Sequence, residues 1–333
     1  MTVLPVTLTD IEQAARRIEA RILRTPYALS AALSERCGVH VGLKLEHHQM
    51  TGSFKLRGAT NAVLALSPEE RARGVVAAST GNHGRALAHA AKAEGAVATI
   101  CMSRLVPDSK VSEIRRLGAD VRIVGRSQDE AQLEVDRLAA EDGLVTVPPF
   151  DNRFVVAGQG TLGLEIVEAM PDVSTVLVPL SGGGLAAGVA AAVKGRLPKT
   201  RVIGLTMERG AAMKASLDAD RPVLVEEVAS LADSLGGGIG LDNAVTFKMC
   251  RALLDDVLLL SEEEIAAGMR HAYAMEREVV EGAGAVGIAA LLSGRLGRLN
   301  GAVAVILSGR NVDMGQHLRV LNGEAEPYRE EAA

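Results

Sequence analysis

Lys55 is the residue of this sequence whose surroundings best suit covalent chemistry. The run from His40 to Glu46 alternates like a short strand, and a turn follows at Thr51-Gly52. Ser53 can cap the helix predicted after that turn, which places Lys55 in the first turn of the helix. The helix dipole and partial burial both disfavour an ammonium group there, and Schiff-base chemistry needs the neutral amine. A solvated lysine at a helix start is the alternative interpretation.

The segment 79–84, Ser-Thr-Gly-Asn-His-Gly, follows a predicted strand and leads into a helix predicted to begin near Arg85. Small and hydroxyl-bearing residues at a helix start leave backbone N–H groups free to bind a carboxylate. Asn82 adds an amide side chain to these donors. The sequence therefore predicts a carboxylate site here, with an ordinary capped turn as the alternative.

Three successive glycines, Gly182 to Gly184, follow the predicted strand that ends at Leu180. They allow backbone conformations that other residues avoid, and they let several N–H groups converge on a phosphate. The segment is not a Walker loop, because no Gly-Lys-Ser/Thr follows, and Gly188 gives the wrong final spacing for a dinucleotide fingerprint. We predict a phosphate cradle, with a purely structural turn as the alternative.

Ser308 follows the last apolar strand, predicted over residues 302–307. A hydroxyl group at this position could meet a ring nitrogen without placing a full charge on it. A simple turn out of a core strand is equally consistent with this segment alone.

The elements that must position these residues alternate between short β-rich runs and longer helical patterns. This alternation is typical of parallel sheets built from βαβ units, in which ligands bind beyond the carboxyl ends of the strands. A helix over residues 9–22, capped by Thr9 or Asp10, precedes them, and a length of 333 residues allows two domains. The runs span residues 75–79, 97–102, 121–124, 145–148, 176–180, 202–205, 257–260 and 303–307.

The composition is that of an ordinary globular protein, with 48% hydrophobic and 23% charged residues. A net charge of −5, the lack of a long basic run and the scarcity of aromatic residues argue against nucleic acid as a partner. No apolar run reaches membrane-spanning length and no signal pattern opens the chain. Three widely spaced cysteines are expected to be reduced packing residues, so we expect a cytoplasmic protein.

Taken together, Ser53-Phe54-Lys55, the 79–83 segment, the triple glycine and Ser308-Gly309 resemble the fold-type II pyridoxal-phosphate enzymes. Within that group the chain is similar to the threonine dehydratase and serine racemase family over nearly its whole length. Residues 44–49, Lys-Leu-Glu-His-His-Gln, look more specifically like the dehydratases of hydroxyectoine utilisation. The resemblance implies an α/β fold of the tryptophan synthase β type with two open parallel-sheet domains. The large pyridoxal-phosphate-binding domain would comprise residues 1–73 and 150–333, and the small domain residues 74–149.

The resemblance also implies a role for each motif. Lys55 would hold pyridoxal 5'-phosphate as a Schiff base, Phe54 would pack on the cofactor ring, and Asn82 would hold the ring's 3-hydroxyl group. Ser308 would face the pyridine nitrogen. The phosphate would be bound by Ser181, Gly182, Gly183, Gly184 and Leu185, and the substrate carboxylate by Ser79, Thr80, Gly81 and His83.

The chemistry that follows is β-elimination of water from a 3-hydroxy amino acid. Lys55 removes the α-proton, the β-hydroxyl leaves, and the product hydrolyses to a keto acid and ammonia. Because Ser308 is neutral where an acid would protonate the ring, prompt elimination is favoured over prolonged storage of the carbanion. Threonine, serine, 3-hydroxyaspartate and a hydroxyectoine-derived amino acid are all chemically acceptable substrates.

Two alternatives stay open at this point. One is a serine- or aspartate-type racemase, for which Thr80 is the candidate second proton-transfer group, although family members with racemase activity carry serine there. The other is a non-catalytic amino-acid-sensing protein on the same fold. Only a short tail follows Ser308, which suggests a catabolic enzyme without a regulatory domain, and we expect a homodimer.

We predict no metal ligands. Family members with a divalent-metal site use a glutamate where this sequence has Thr206, and Glu208 is out of register. His47 and His48 are consecutive in an apparent strand or its exit, so they are expected to point to opposite sides. Glu281, at a glycine-rich helix start, is expected either to approach the cofactor ring or to cap its helix.

Overall fold

The computed structural model describes residues 4–79, 81–104, 106, 108–126 and 128–326. Its strands form a six-stranded and a four-stranded sheet, which confirms the α/β class with parallel sheets. In chain order the strands are β1 Tyr27–Leu29, β2 Val41–Lys44, β3 Val75–Ala78, β4 Ala98–Met102, β5 Asp120–Ile123, β6 Val145–Thr146, β7 Val173–Pro179, β8 Arg201–Met207, β9 Asp256–Leu260 and β10 Ala302–Ile306.

Helices cover both sheets. In chain order they are α1 Leu8–Ile18, α2 Ala31–Cys37, α3 Lys55–Ala65, α4 Pro68–Arg73, α5 Asn82–Ala93, α6 Asp108–Arg116, α7 Gln128–Glu141, α8 Arg153–Ala169, α9 Gly184–Arg196, α10 Ala212–Asp218, α11 Thr246–Leu253, α12 Glu262–His271, α13 Gly282–Ser293 and α14 Met314–Leu321. None of these helices combines the length and the apolar composition that a bilayer crossing requires.

The six-stranded sheet has the order β1-β2-β10-β7-β8-β9, and every pairing is parallel except that of the edge strand β1 with β2. Strand β10 pairs with β2 on one side and β7 on the other. The segments that leave these three neighbours therefore meet at one edge of the sheet. They carry Lys55 after β2, the triple glycine after β7 and Ser308 after β10.

The four-stranded sheet has the order β5-β4-β3-β6 and is parallel throughout. Helix α3 packs against α8 beside the large sheet and against α5 beside the small one, burying Leu56, Ala59 and Val63. Lys55, at the first position of α3, is thus held where the layers of the two sheets meet. The boundaries 74 and 149 of the small domain stay a prediction, although all four strands of this sheet lie between them.

Each predicted run from residue 75 onward overlaps with a strand, and Lys55 lies in the first turn of its helix as predicted. Strand β1 was missed, because three residues at a sheet edge leave little periodicity to detect. The predicted cap of the first helix was wrong. Thr7 caps α1, and Asp10 returns a hydrogen bond to the Thr7 backbone in a capping box.

Two further helix starts differ from the predictions. Ser53 does not cap α3: Phe54 precedes the helix without a side-chain bond, because Ser53 is drawn into a β-bridge with Gly309. Helix α5 begins at Asn82 rather than near Arg85. Both differences arise from contacts with residues distant in sequence or from glycine at the turn, which local capping rules do not capture.

A buried network of ions anchors the strand and the helix that flank the Lys55 turn. Arg57, which is fully buried, pairs with Glu46 at 2.7 Å and with Glu165 of α8 at 2.7 Å. Lys44 of β2 also pairs with Glu165, at 2.6 Å. Buried charges are tolerated only when they are paired in this way, so the network fixes α3 against β2 and α8.

Candidate active site

The Lys55 amine lies in the cleft between the two sheets. Its Nζ donates a hydrogen bond to the backbone carbonyl of Pro149 at 2.8 Å and lies 5.4 Å from the centre of the Phe54 ring. Burial lowers the pKa of Lys55 to about 8, and the nearby Glu281 carboxylate only partly opposes this. The neutral amine is therefore accessible close to neutral pH, as predicted from its position.

Glu281 is buried, and its carboxylate accepts hydrogen bonds from Asn82 Nδ2 at 2.8 Å and from the Asn311 backbone at 3.1 Å. It makes no side-chain capping bond to α13, so the structure does not support the capping alternative. Burial and the charge of Asp233 raise the pKa of Glu281 to about 7, and its bonds to Asn82, Asn311 and Ser234 oppose this rise.

Asn82 is held from both ends of its amide. Its Nδ2 group also reaches Ser234 Oγ at 3.5 Å, and its Oδ1 accepts a hydrogen bond from Asn311 Nδ2. The Asn311 amide in turn donates to the Thr51 carbonyl at 2.9 Å. Asn311 and Ser234 were not among the predicted site residues. For Asn311 a signal existed, since it lies three residues beyond Ser308 at the same strand end.

The glycine turn meets the conformational requirement for which it was singled out. Gly183 has a φ of +87° and immediately precedes α9, whose first N–H groups have no partner within the helix. A Cβ on Gly182 would lie 2.3 Å from the Phe150 ring. Ser181 is half-buried and Leu185 is buried at the same turn. The turn can therefore present several amide donors to an anion.

The 79–83 turn is shaped by the Ser79 hydroxyl, whose oxygen accepts hydrogen bonds from the backbone N–H groups of Gly84 at 2.9 Å and Gly81 at 3.4 Å. Space above Gly81 is open, since a Cβ there would meet no atom of the described residues within 4 Å. Thr80 lies outside the described residues. The turn therefore leaves room for a ligand beside the start of α5.

His83 is buried in the first turn of α5, and its Nε2 donates to the Val147 carbonyl at 2.8 Å. Burial and the nearby Lys55 charge lower its pKa to about 3, so the imidazole is neutral. A neutral ring whose N–H is already used cannot attract a carboxylate. Any part that His83 has in carboxylate binding must therefore come from its backbone N–H group.

Ser308 is buried at the end of β10, and its hydroxyl donates a long hydrogen bond of 3.4 Å to the Ala283 carbonyl. Its own carbonyl accepts the N–H of Phe54 at 3.0 Å. The serine is thus attached directly to the segment that carries Lys55. The predicted site residues within the described part of the chain are distributed over the two sheet edges that face this cleft.

The prediction that His47 and His48 point to opposite sides was wrong. They lie in a 3₁₀ turn, Glu46–His48, rather than in a strand, and their rings are 4.3 Å apart. Both Nε2 atoms contact the same oxygen of Glu278, at 2.7 and 2.8 Å. The alternation rule for strands does not apply to the tighter turn.

Comparison with known proteins gives three consistent results. The family model of pyridoxal-phosphate-dependent enzymes matches residues 18–309. A putative threonine dehydratase of Sinorhizobium fredii is 66% identical over 326 residues, covering 98% of both chains. The L-threonine ammonia-lyase of Thermotoga maritima is 43% identical over 317 residues, covering 95% of this chain and 78% of that one.

Solved structures agree with the sequence relatives. Maize serine racemase superposes with a TM-score of 0.90 at 32% identity, covering 95% of this chain and 97% of that one. A bacterial threonine deaminase, from the organism abbreviated T.th., superposes with a TM-score of 0.85 at 36% identity, covering 92% of this chain and 99% of that one.

Proposed function

The chain belongs to the family of pyridoxal-phosphate-dependent enzymes and is a threonine dehydratase-like lyase, and on that premise we propose that it eliminates water from a threonine-type 3-hydroxy amino acid. The products would be a keto acid and ammonia. The observation that carries the proposal is the Lys55 amine, which is held in the cleft by the Pro149 carbonyl with a pKa of about 8.

The residues around Lys55 fit pyridoxal phosphate. The left-handed Gly183 and the free amides at the start of α9 suit the phosphate group, as predicted for Ser181 to Leu185. The buried Ser308 hydroxyl suits a neutral ring nitrogen, and we assign to Asn82 the ring's 3-hydroxyl group. We place Phe54 against the ring and Glu281 beside it. When bound, the cofactor supplies an electron-accepting ring that stabilises negative charge on the substrate α-carbon.

The substrate carboxylate would bind at the start of α5. The Ser79 oxygen accepts two backbone N–H groups, so its own O–H remains to donate to the carboxylate. The backbone N–H groups of Gly81 and His83 complete the donors that we assign to this turn, and the predicted role of Thr80 stays a prediction. The free energy of these contacts orients the α-carbon towards the catalytic amine.

Lys55 would take the α-proton once the substrate has displaced it from the cofactor. A base with a pKa of about 8 is well matched to this step near neutral pH. Ser308 has no charge to share with the ring, so negative charge is not stored there for long. We expect this to favour departure of the β-hydroxyl over return of the proton, and hence elimination over racemisation.

The test is a panel of amino acids assayed for keto acid and ammonia. The panel contains L-threonine, L-serine, threo-3-hydroxyaspartate and a hydroxyectoine-derived diamino acid. Keto acid from L-threonine at the highest kcat/KM supports the proposal, whereas turnover of the diamino acid alone would support the hydroxyectoine assignment instead. A change of configuration without keto acid would show a racemase, and binding without any product would show a sensor.

We also infer a cytoplasmic homodimer, as expected from the sequence. Cys37, Cys101 and Cys250 are all free thiols, which suits a reducing compartment. Tyr273 and Leu318 expose large apolar surfaces around the contact between Tyr273 and His317, which suits a protein interface. Light scattering at several concentrations tests the dimer, and a monomer throughout would contradict it.

A further inference from the structure

A second cluster of reactive side chains lies outside the proposed catalytic site. His47, His48 and Glu278 bring two imidazole nitrogens and one carboxylate oxygen within 4.8 Å of one another. Both nitrogens are Nε2 atoms, and both contact Glu278 Oε2. His47 is buried, whereas the side chains of His48 and Glu278 are 39% and 20% exposed. The cluster is therefore anchored on one side and open to solvent on the other.

The backbone on both sides of the cluster is arranged to bring these atoms together. The 3₁₀ turn Glu46–His48 gives two consecutive histidines the same direction. On the opposite side, the π-helical turn Ala272–Glu276 ends at Arg277, a non-glycine residue with a φ of +65°. This left-handed residue reverses the chain, and the Glu278 N–H returns to the Ala272 carbonyl at 2.9 Å. π-Helical turns and left-handed non-glycine residues are both concentrated at functional sites.

We propose that His47, His48 and Glu278 bind a divalent transition-metal cation, with Zn²⁺ as the best match. Two imidazoles and one carboxylate form a donor set that Zn²⁺ accepts, and three protein ligands leave a fourth position for water on the exposed side. Zinc bonds to nitrogen and oxygen are about 2.0–2.2 Å long. The cation would take the place of the two N–H hydrogen atoms, after a small outward movement of the Glu278 carboxylate.

No competing contact fixes His47 in the wrong tautomer. His47 Nδ1 is buried and has no hydrogen-bond partner among the described residues. The ring can therefore carry its hydrogen on Nδ1 and present the Nε2 lone pair to a cation. Glu278 supplies the negative charge that a divalent cation requires.

The position of the cluster gives the cation a structural consequence. His47 N–H donates to the Leu307 carbonyl at 2.9 Å, directly before Ser308, and Glu278 lies three residues before Glu281. A cation here would tie the segment that leads to Lys55 to the segment that leads to Glu281. Bound metal would therefore stabilise the walls of the catalytic cleft without touching the reacting atoms.

The test uses the cofactor-loaded enzyme, freed of metal by dialysis against a chelator and titrated calorimetrically with Zn²⁺ alone. His48→Gln and Glu278→Gln each remove one ligand. The matched control is His40→Gln, which changes an exposed histidine at the start of β2. A parallel titration with Co²⁺ reports coordination by nitrogen and oxygen ligands through the visible absorption of the bound ion.

Wild type and His40→Gln are expected to bind one Zn²⁺ per chain and to gain thermal stability with it. Loss of a direct ligand should weaken binding by more than about 10-fold, since outer-shell changes alone cost about 10- to 100-fold. Wild-type affinity in either cluster variant would overturn the proposal. So would the absence of saturable binding to the wild type, in which case the cluster is only a hydrogen-bonded pair of histidines on one carboxylate.

Discussion

Asn82 Nδ2 lies 2.8 Å from Glu281 Oε1, and this hydrogen bond joins the start of α5, beside the four-stranded sheet, to the start of α13, beside the six-stranded sheet. It crosses the cleft that holds Lys55. The two ends of the bond are 199 residues apart in the chain. One contact therefore sets the distance between the two halves of the proposed site and engages the amide assigned to the cofactor ring.

Replacing Asn82 by Ala should weaken both cofactor binding and catalysis. A buried carboxylate that loses a hydrogen-bond donor costs about 1–3 kcal/mol, or about 5- to 150-fold in an equilibrium constant. We expect cofactor affinity and kcat/KM to fall within that range, measured by cofactor titration and steady-state kinetics. Asn322→Ala, an exposed amide after α14, is the control. Unchanged cofactor affinity in Asn82→Ala would show that the bond does not support the site.

Glu281 should make the cofactor-free protein less stable as the pH rises. Its pKa rises from 4.5 to about 7 on folding. Between these values the folded state retains a proton that the unfolded state has lost, so the free energy of unfolding falls by about 3 kcal/mol as pH increases through this window. Urea unfolding at several pH values should show this loss in wild type and not in Glu281→Gln. A matching decline in Glu281→Gln would assign it to other groups.

Gly183→Ala tests the phosphate turn. A Cβ here would meet Cys250 Sγ and Met213 Cε at 2.8 Å, in a residue whose φ is +87°. Gly294→Ala is the matched control, because Gly294 has a φ of +69° but no described atom within 4 Å of its Cβ position. Both variants should lose about 1 kcal/mol or more of stability through backbone strain. Only Gly183→Ala should also lose affinity for pyridoxal phosphate, and equal affinities would count against the cradle.

Arg57→Met should destabilise the protein strongly. It leaves the carboxylates of Glu46 and Glu165 buried without their shared cation, which typically costs about 3–5 kcal/mol. Arg24→Met breaks an ion pair with Glu168 whose two side chains are more than half exposed, and should cost about 1 kcal/mol or less. Denaturant titration separates the two. Similar losses in both variants would contradict the structural importance of the buried network.

The parts of the site that were predictable from sequence depend on local rules. Lys55 at a helix start and the left-handed glycine before α9 follow from turn chemistry over a few residues. The order of β2, β10 and β7 brings their ends together, and the alternation of strands and helices indicated such an edge without specifying the neighbours.

The parts that were not predictable depend on contacts between distant residues. Ser53 loses its capping role to a bridge with Gly309, and Glu281 is engaged by Asn82 rather than by its own helix. The convergence of His47 and His48 on Glu278 required knowledge of a 3₁₀ turn and of a partner 230 residues away. Single-sequence patterns contain no information on such pairings.

The central claim is that Lys55 holds pyridoxal phosphate and performs the elimination. Its most direct test compares the visible absorption spectrum and keto-acid production from L-threonine for wild type, Lys55→Ala and the exposed control Lys199→Ala. We predict a yellow, active wild type and control, and a Lys55→Ala variant that has lost both the lysine-bound cofactor absorbance and the activity. A wild type that stays colourless and inactive after incubation with pyridoxal phosphate, or a Lys55→Ala variant that retains both properties, would contradict the account.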